Sequence, residues 1–405
     1  LELDKLFGIS TLFMNKKIVC TIITKSYLAY ARALATSLYE HNPHIKLYVL
    51  LADKIDGYFE PANEPFELIR LEELPDQQTI RRMCFYYTPF ELCCALRGVL
   101  HEFIYDNNLA DSWLFLDSDI LIYNSLEEIF QQLGTTSILL NPHIIAPINN
   151  PNYDALEVRL LGSGVYNAGF LGIRRTDEAK KFIDWFKQRL SQYAFQRRGE
   201  GEMNLLFVDQ LWLNLAPTLF SDLKYLLHTG ANVGYWSLIS NPIYKKDNTY
   251  LINNQPVLFI HFTGWDISQP SIASRYLPLE KNTNIWEEIG KHYKNRLLDC
   301  GYEDCKKYPY AFSYFTNQKK ITLELQYLYY KNIYINANDT YLKELDPFEN
   351  YDYLNKLKNQ NKIDSLLRKL FKIYEYDYLN AKLAQKFPEP VKNEIFQKIL
   401  RYFKK

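Results

Sequence analysis

Apolar and polar positions fall into two regimes along this chain, a strand-like one and a helix-like one. After a short amphipathic leader (residues 1–15), Lys17–Ile23 (KIVCTII) is a nearly unbroken apolar run bounded by the polar Thr24-Lys25-Ser26, which predicts a buried strand. Tyr27, Ala31, Leu34, Ala35 and Leu38 then recur at i, i+4, i+7, i+8 and i+11, one face of a helix that ends near Asn42-Pro43. Residues 46–52 (KLYVLLA) and 66–71 predict two further strands. Strand, helix, strand is the opening of a parallel α/β sheet.

The same reading predicts a helical stretch over 89–105 and a short apolar strand over 113–116 that runs into Asp117-Ser118-Asp119. Further α/β units pass through residues 166–173, a helix carrying Phe182, Ile183, Phe186 and Leu190, and residues 206–216. Residues 257–262 (VLFIHF) form the last convincing strand. Beyond Arg275 the period becomes helical, with many Lys and Tyr and almost no Gly. The expected organisation is therefore a leader (1–15), an α/β domain (16–275) and an all-helical C-terminal domain (276–405).

Composition narrows the field. With 405 residues the chain can bury more than one core. Lys+Arg and Asp+Glu both number 47, and zero net charge argues against a general nucleic-acid binder. Aromatic residues make up 16% of the chain, as an AT-rich coding sequence would also favour. The six cysteines lack the paired C-x-x-C spacing of a zinc site and read as reduced thiols of a cytoplasmic protein. No apolar run approaches the ~18–20 residues that span a bilayer, so the expectation is a soluble or peripheral protein.

Several common chemistries lack their signatures. There is no P-loop; Gly162 and Gly164 are followed by Gly169, too late for a dinucleotide fingerprint; Gly162-Ser163-Gly164 is no nucleophile elbow; and His101-Glu102 has no second zincin histidine. What remains is the acidic pair. If strand geometry persists through it, Asp117 and Asp119 point to one side, at the sheet edge where open α/β folds bind ligands. Two carboxylates there suit Mn²⁺ or Mg²⁺. The alternative is a turn whose aspartates cap a helix starting near Ser125.

LFLDSDILI, with the first strand and its Thr21/Thr24/Lys25 loop, resembles the GT-A type of nucleotide-sugar glycosyltransferase. Three downstream segments fit: Tyr166-Asn167-Ala168-Gly169-Phe170, Val208-Asp209-Gln210, and Ile260-His261-Phe262-Thr263-Gly264. Their order is similar to that of the retaining family 8 enzymes and related bacterial transferases that decorate surface polysaccharides or proteins. The match runs from Lys16 to Arg275.

The resemblance implies a Rossmann-like, mostly parallel sheet and a cation, Mn²⁺ or Mg²⁺, held by Asp117, Asp119 and His261. It implies a donor site lined by Thr21, Thr24, Lys25, Arg97, Asp117, Ser118 and Gly264. It also implies sugar- or acceptor-facing roles for Asn167, Asp209 and Gln210, and, more loosely, for Asn232, Trp236 and Trp265. Where family 8 continues with Lys-Pro-Trp, this chain has Trp265-Asp266-Ile267, and Arg275 is the candidate replacement for the missing phosphate-closing cation. Structural alternatives stand beside these roles: loop polarity for Thr21, Thr24 and Lys25, an exposed helix for Arg97, a core histidine for His261, a helix cap for Asp209, and core packing for Trp236.

The implied reaction moves a sugar from a nucleotide diphosphate, a UDP-sugar first among them, to a carbohydrate, lipid-linked or protein acceptor. Retention is favoured over inversion with Asp209 as base. Rival readings are a sugar-phosphate nucleotidyltransferase, for which the glycine-free Thr24–Tyr27 loop is a poor match, and a catalytically silent carbohydrate-binding protein. Residues 301–405 hold 19 Lys+Arg against 13 Asp+Glu. Val391, Ile395, Phe396, Ile399, Leu400 and Phe403 form a stripe flanked by lysines that could lie on an anionic membrane or dock on its own domain.

Overall fold

The computed structural model describes residues 16–149, 155–196, 204–239, 241–276, 284–335 and 344–360. The leader and the lysine-flanked stripe at 391–403 lie outside them. Contacts divide the chain into two compact units, Leu1–Tyr327 and Leu328–Lys405. The described part of the second unit is largely helical, including residues 351–360.

In the first unit the chain opens with strand β1 (Lys17–Ile23), helix α1 (Leu28–His41), β2 (Lys46–Leu51) and β3 (Glu67–Arg70). β1 pairs in parallel with β2 on one side and with a later strand, β4 (Ser112–Leu116), on the other, so all but its first residue are buried. This is why its sequence is continuously apolar rather than alternating. α1 lays Leu28, Ala31, Leu34, Ala35 and Leu38 into the core beneath the sheet, whereas Tyr27, expected at the head of that stripe, precedes the helix and is 49% exposed.

The stretch expected as one helix over 89–105 is two, α3 (Pro89–Ala95) and α4 (Arg97–Asp106), preceded by α2 (Gln77–Tyr86). Thr88 and Glu91 form a reciprocal capping box with Pro89 in the first turn, which fixes where α3 starts. α4 packs on the later α7 (Asp177–Tyr193) at a point where a Cβ on Gly98 would lie 2.4 Å from the Lys187 Cα. Only glycine fits that crossing, and it seats the first turn of α4, with Arg97, deep in the unit.

β4 (Ser112–Leu116), β5 (Ile120–Ile122), α5 (Glu127–Leu133), β6 (Ile138–Pro142), α6 (Ala155–Ser163) and β7 (Tyr166–Arg174) complete most of the sheet, with β8 (Leu223–Tyr225) at its edge. The strand order is β3-β2-β1-β4-β7-β6-β8, the mixed α/β, mostly parallel architecture expected. One strand departs from the parallel expectation: β7 runs antiparallel to both β4 and β6. Its first residues therefore lie beside the last residues of β4, with Phe170 opposite Leu116. Two polar segments far apart in sequence, 117–119 and 166–169, meet at one rim.

Two short helices, α8 (Ala216–Leu219) and α9 (Tyr235–Leu238), and a small antiparallel sheet of β9 (Ile243–Lys246), β10 (Thr249–Ile252) and β11 (Gln255–Pro256) follow. The last strand, β12 (Phe259–His261), does not join the main sheet. It pairs antiparallel with β5, setting His261 opposite Ile120. Helix α10 (Asn284–Asp299) then packs on α1, tied by a two-pronged Arg296–Glu40 ion pair, and Tyr293 stacks on Phe262 at 3.8 Å.

Candidate active site

β4 ends at Leu116, and Asp117-Ser118-Asp119 form a turn rather than a continued strand. The carboxylates converge because the turn is pinned on both sides. The Asp117 N–H donates to the Gly169 carbonyl at 3.0 Å, and the Phe262 N–H donates to the Asp119 carbonyl at 2.9 Å. The couplet caps no helix: α5 begins at Glu127, whose N–H is met by Ser125 Oγ.

The turn and β12 bring Asp117, Asp119 and His261 together. His261 Nε2 lies 3.2 Å from Asp119 Oδ1 and 3.7 Å from Asp117 Oδ2, and one ligand atom from each residue falls within 4.8 Å of the others. Both carboxylates are 29% exposed, whereas the imidazole is 3% exposed. Burial lowers the pKa of His261, but the adjoining Asp119, with Asp117 behind it, outweighs that and leaves it raised. Two hard oxygens and one imidazole nitrogen, aimed at one half-open point, are a fit donor set for a divalent cation.

Behind this rim lies a buried polar layer. Arg97 is a buried guanidinium rather than an exposed one: it holds Asp117 Oδ1 at 2.5 Å, Asp209 Oδ2 at 2.6 Å and the Ala168 carbonyl, and sits 4.4 Å from the Phe115 ring centre. Burial alone would lower its pKa; the two carboxylates reverse this and raise it. Asp209 is 1% exposed, and its pKa is raised by burial against the opposing pull of Arg97. It caps no helix with its side chain. Gln210 is half-buried, accepting from the Ala168 N–H at 3.2 Å and donating to the Ser163 carbonyl at 2.9 Å.

His261 Nδ1 faces Asn232 Oδ1 at 3.1 Å. The Asn232 amide reaches Asn141 Oδ1 at 2.9 Å and Asn167 Oδ1 at 3.0 Å, and Asn167 Nδ2 lies 3.0 Å from His143 Nε2. Trp236 stands edge-on to both His143 and His261, 3% exposed. The glycine of Tyr166–Phe170 has a physical reason: a Cβ at Gly169 would sit 2.3 Å from His261 Cε1.

The other expected residues spread out. Thr21 is fully buried with no partner for its hydroxyl among the described residues, and Thr24 shares a hydrogen bond with Ser26 at 3.0 Å. Lys25 is 1% exposed and turned inward, its Nζ 2.8 Å from Asp56 Oδ2 and 4.8 Å from the Tyr58 ring centre. Ser118 is half-buried on the turn itself. Gly264 adopts φ +68° and accepts from the Arg275 N–H, which carries the exposed Arg275 side chain onto Tyr276 near this rim. Trp265 is half-buried, donating to the Pro270 carbonyl and packed on Phe262 and Tyr293.

Comparison with known proteins adds the following. No family model matches the chain. Two Bacillus subtilis (strain 168) proteins described as uncharacterized, YfnF and YfnD, are 23% and 24% identical to it. Each alignment covers 61% of this chain, and 81% and 77% of the respective relative. Among solved structures, the glycosyltransferase GlyE of Streptococcus pneumoniae TIGR4 aligns over 74% of this chain and 67% of its own, with 19% identity and a TM-score of 0.41. The galactosyltransferase LgtC, solved with donor and acceptor sugar analogs, aligns over 69% of this chain and 95% of its own, with 16% identity and a TM-score of 0.40. Both are glycosyltransferases.

Three residues at the site escaped the sequence reading. Asn141 and His143 close β6, and the signal was a polar Asn-Pro-His directly after the apolar ILL. Tyr27, 49% exposed and stacked on Tyr30 at 4.9 Å, stands at the end of the β1 loop, an aromatic one residue past the polar cluster.

Proposed function

We propose that the protein is a metal-dependent glycosyltransferase that moves a sugar from a nucleotide diphosphate to a hydroxyl acceptor. The observation that carries this reading is the Asp117–Asp119–His261 cluster, half-open to solvent at the rim where β4 ends and β7 begins. Asp117, Asp119 and His261 would hold Mn²⁺ or Mg²⁺, which when bound neutralises charge gathering on a departing diphosphate. Tyr27 offers a flat face for the donor base, and Arg275 a mobile cation for its phosphates.

The buried side of the site supports retention. Inversion needs a carboxylate within hydrogen-bond reach of the acceptor hydroxyl. Asp209, the obvious choice, is turned inward onto Arg97. Gln210, held by backbone groups at both ends of its amide, is the polar side chain left to face the sugar. Departure and attack would then share one face, with the leaving phosphate oxygen taking the acceptor proton. The acceptor is a carbohydrate, a lipid-linked glycan or a protein.

Among the described residues no helix is long and apolar enough to cross a membrane. A cytoplasmic enzyme, with peripheral membrane contact through residues 391–403, fits this reading.

The test is slow donor hydrolysis across a panel of nucleotide sugars with Mn²⁺ or Mg²⁺, repeated after chelation and with Asp119→Ala. One donor is expected to be turned over, and both interventions to stop it. Turnover that survives chelation defeats the proposal. Pyrophosphate release from a nucleoside triphosphate and a sugar phosphate would replace it with a nucleotidyltransferase. Binding of sugar without turnover of any donor would leave a silent carbohydrate-binding protein.

A further inference from the structure

Between β12 and α10 the chain leaves the rim and returns to within hydrogen-bond reach of its own exit. The Arg275 N–H donates to the Gly264 carbonyl at 3.0 Å, and Ser274 Oγ donates to the Thr263 carbonyl at 2.9 Å. A Cβ on Gly264 would lie 2.6 Å from the Tyr276 ring, so the absence of one lets that ring rest on the outgoing chain. The outer part of the loop is pinned by Trp265, which packs on Tyr293 of α10 and donates to the Pro270 carbonyl at 3.2 Å.

The returning end meets a second wall. The Tyr276 carbonyl accepts from Arg159 Nη1 of α6 at 2.7 Å, and the Tyr276 ring stands 5.9 Å from that of Tyr235 of α9. Arg159 and Tyr276 are both exposed, so their hydrogen bond lies outside the core and its loss should leave global stability nearly unchanged.

Tyr276 in turn carries a charge. The Arg275 guanidinium donates to the Tyr276 hydroxyl at 3.0 Å and lies 5.0 Å from the ring centre. Where Tyr276 is held, Arg275 is held with it. Arg275 and Tyr27 stand within electrostatic reach of one another, and Tyr27 within reach of Asp119. A molecule with an aromatic base on Tyr27 and phosphates at the acidic turn would therefore pass in front of Arg275. An arginine ordered in advance gives up less freedom on meeting a phosphate than one that must be ordered at that moment.

We infer that Arg159 is a positioning residue: by holding the Tyr276 carbonyl it keeps Arg275 on the donor side of the rim, so that α6 braces the wall facing Tyr27. The purpose of this brace rests on the glycosyl-transfer reading above; the brace itself does not. A guanidinium suits the task because a charged donor makes a stronger hydrogen bond to a carbonyl than a neutral one does.

The experiment measures calorimetric binding of UDP, GDP, ADP and CDP, each with Mn²⁺, to the full chain. Whichever binds is then taken through Arg159→Met, Arg159→Lys, Arg275→Met and the variant carrying both methionines. Arg159→Met keeps the length of the side chain and removes its donors. It is expected to weaken nucleotide binding by about 3–10-fold, the cost of ordering one long side chain on binding, while Mn²⁺ alone binds as in the parent. Arg159→Lys keeps a charged donor and should restore part of the loss. Because Arg159 acts through Arg275, the double variant should bind no more weakly than Arg275→Met.

Unchanged nucleotide affinity in Arg159→Met, losses that add in the double variant, or an equal loss of affinity for Mn²⁺ alone would overturn the inference. Hydrogen exchange read by mass spectrometry separates the brace from the reading that gives it a purpose. Without nucleotide, exchange at residues 273–276 should quicken in Arg159→Met and recover in Arg159→Lys. A parent that binds no nucleoside diphosphate yet shows that change would defeat the proposed function while sustaining the brace. Exchange that is the same in parent and Arg159→Met would overturn the brace itself.

Discussion

The two faces of the site are built on opposite terms. At the rim, Asp117 and Asp119 ride a turn, part-exposed, and their carboxylates face each other and His261 across a gap. One layer below, Arg97, Asp209, Asn141, Asn167, Asn232 and His143 are as dry as the apolar core, and nearly every polar atom has a partner. The rim's carboxylates are part-exposed, where charge pairs contribute little to holding the protein together. The layer beneath is buried, and its hydrogen bonds hold Asp117 and His261 of the rim in place. Loss of a group should therefore read out as activity in the first case and as stability in the second.

The sharpest way to break that contrast is Asp119→Ala. Donor turnover with Mn²⁺ is expected to fall to background while urea unfolding stays within ~0.5 kcal/mol of the parent, as for other substitutions of part-exposed groups away from the core. A large stability loss would place Asp119 with the supporting layer.

Arg97→Met probes the other side. It leaves Asp209 as an unpaired buried acid, a change expected to cost about 3–5 kcal/mol in equilibrium unfolding. Arg97→Lys should recover only part, because a single ammonium cannot span Asp117, Asp209 and the Ala168 carbonyl at once.

Acidification sharpens the comparison further. His101 and His143 are buried neutral, with pKa values lowered to about 3 and about 4. The unfolded chain binds protons at these rings first, so stability is present above about pH 6.5 and is lost as pH falls toward about pH 4. For His143 the loss is on the order of 3 kcal/mol, and because His143→Gln should escape it, it should appear as the difference between parent and variant in urea unfolding across that window.

The smallest expected effect is at the rim again. Tyr27→Ala should weaken binding of a nucleoside diphosphate by about 1–3 kcal/mol, the range for a base stacked on an aromatic ring. Unfolding should be unaffected, and calorimetry of the free nucleotide would check the first part.

Sequence patterns carried much of the scaffold and the grouping of Asp117, Asp119 and His261. β1, α1, β2 and β3 follow directly from apolar periodicity, since a strand buried on both faces and a one-sided helix leave distinct signatures. The chain order of Asp117, Asp119 and His261 was readable as well. The direction of β7 was not, because an apolar run has the same pattern whichever way it lies. Nor was the turn at 117–119, where the couplet converges by backbone pinning rather than by strand alternation. The buried layer was harder still. Arg97 and Asp209 are 112 residues apart, and an asparagine or histidine at a strand end looks the same whether it ends in water or in a closed hydrogen-bond circuit.

The reversed strand has a consequence for how such a site can change. β6 leaves the rim at Pro142 and β7 re-enters it at Tyr166, directly opposite one another. The described residues between them, 143–149 and 155–165, belong to an excursion anchored at two neighbouring points beside the acidic turn. Its ends are tied to the layer beneath through His143 and Ser163, while Val158 and Leu161 stand out in solvent, so under the proposed function acceptor preference can diverge at that outer part without disturbing the acidic turn.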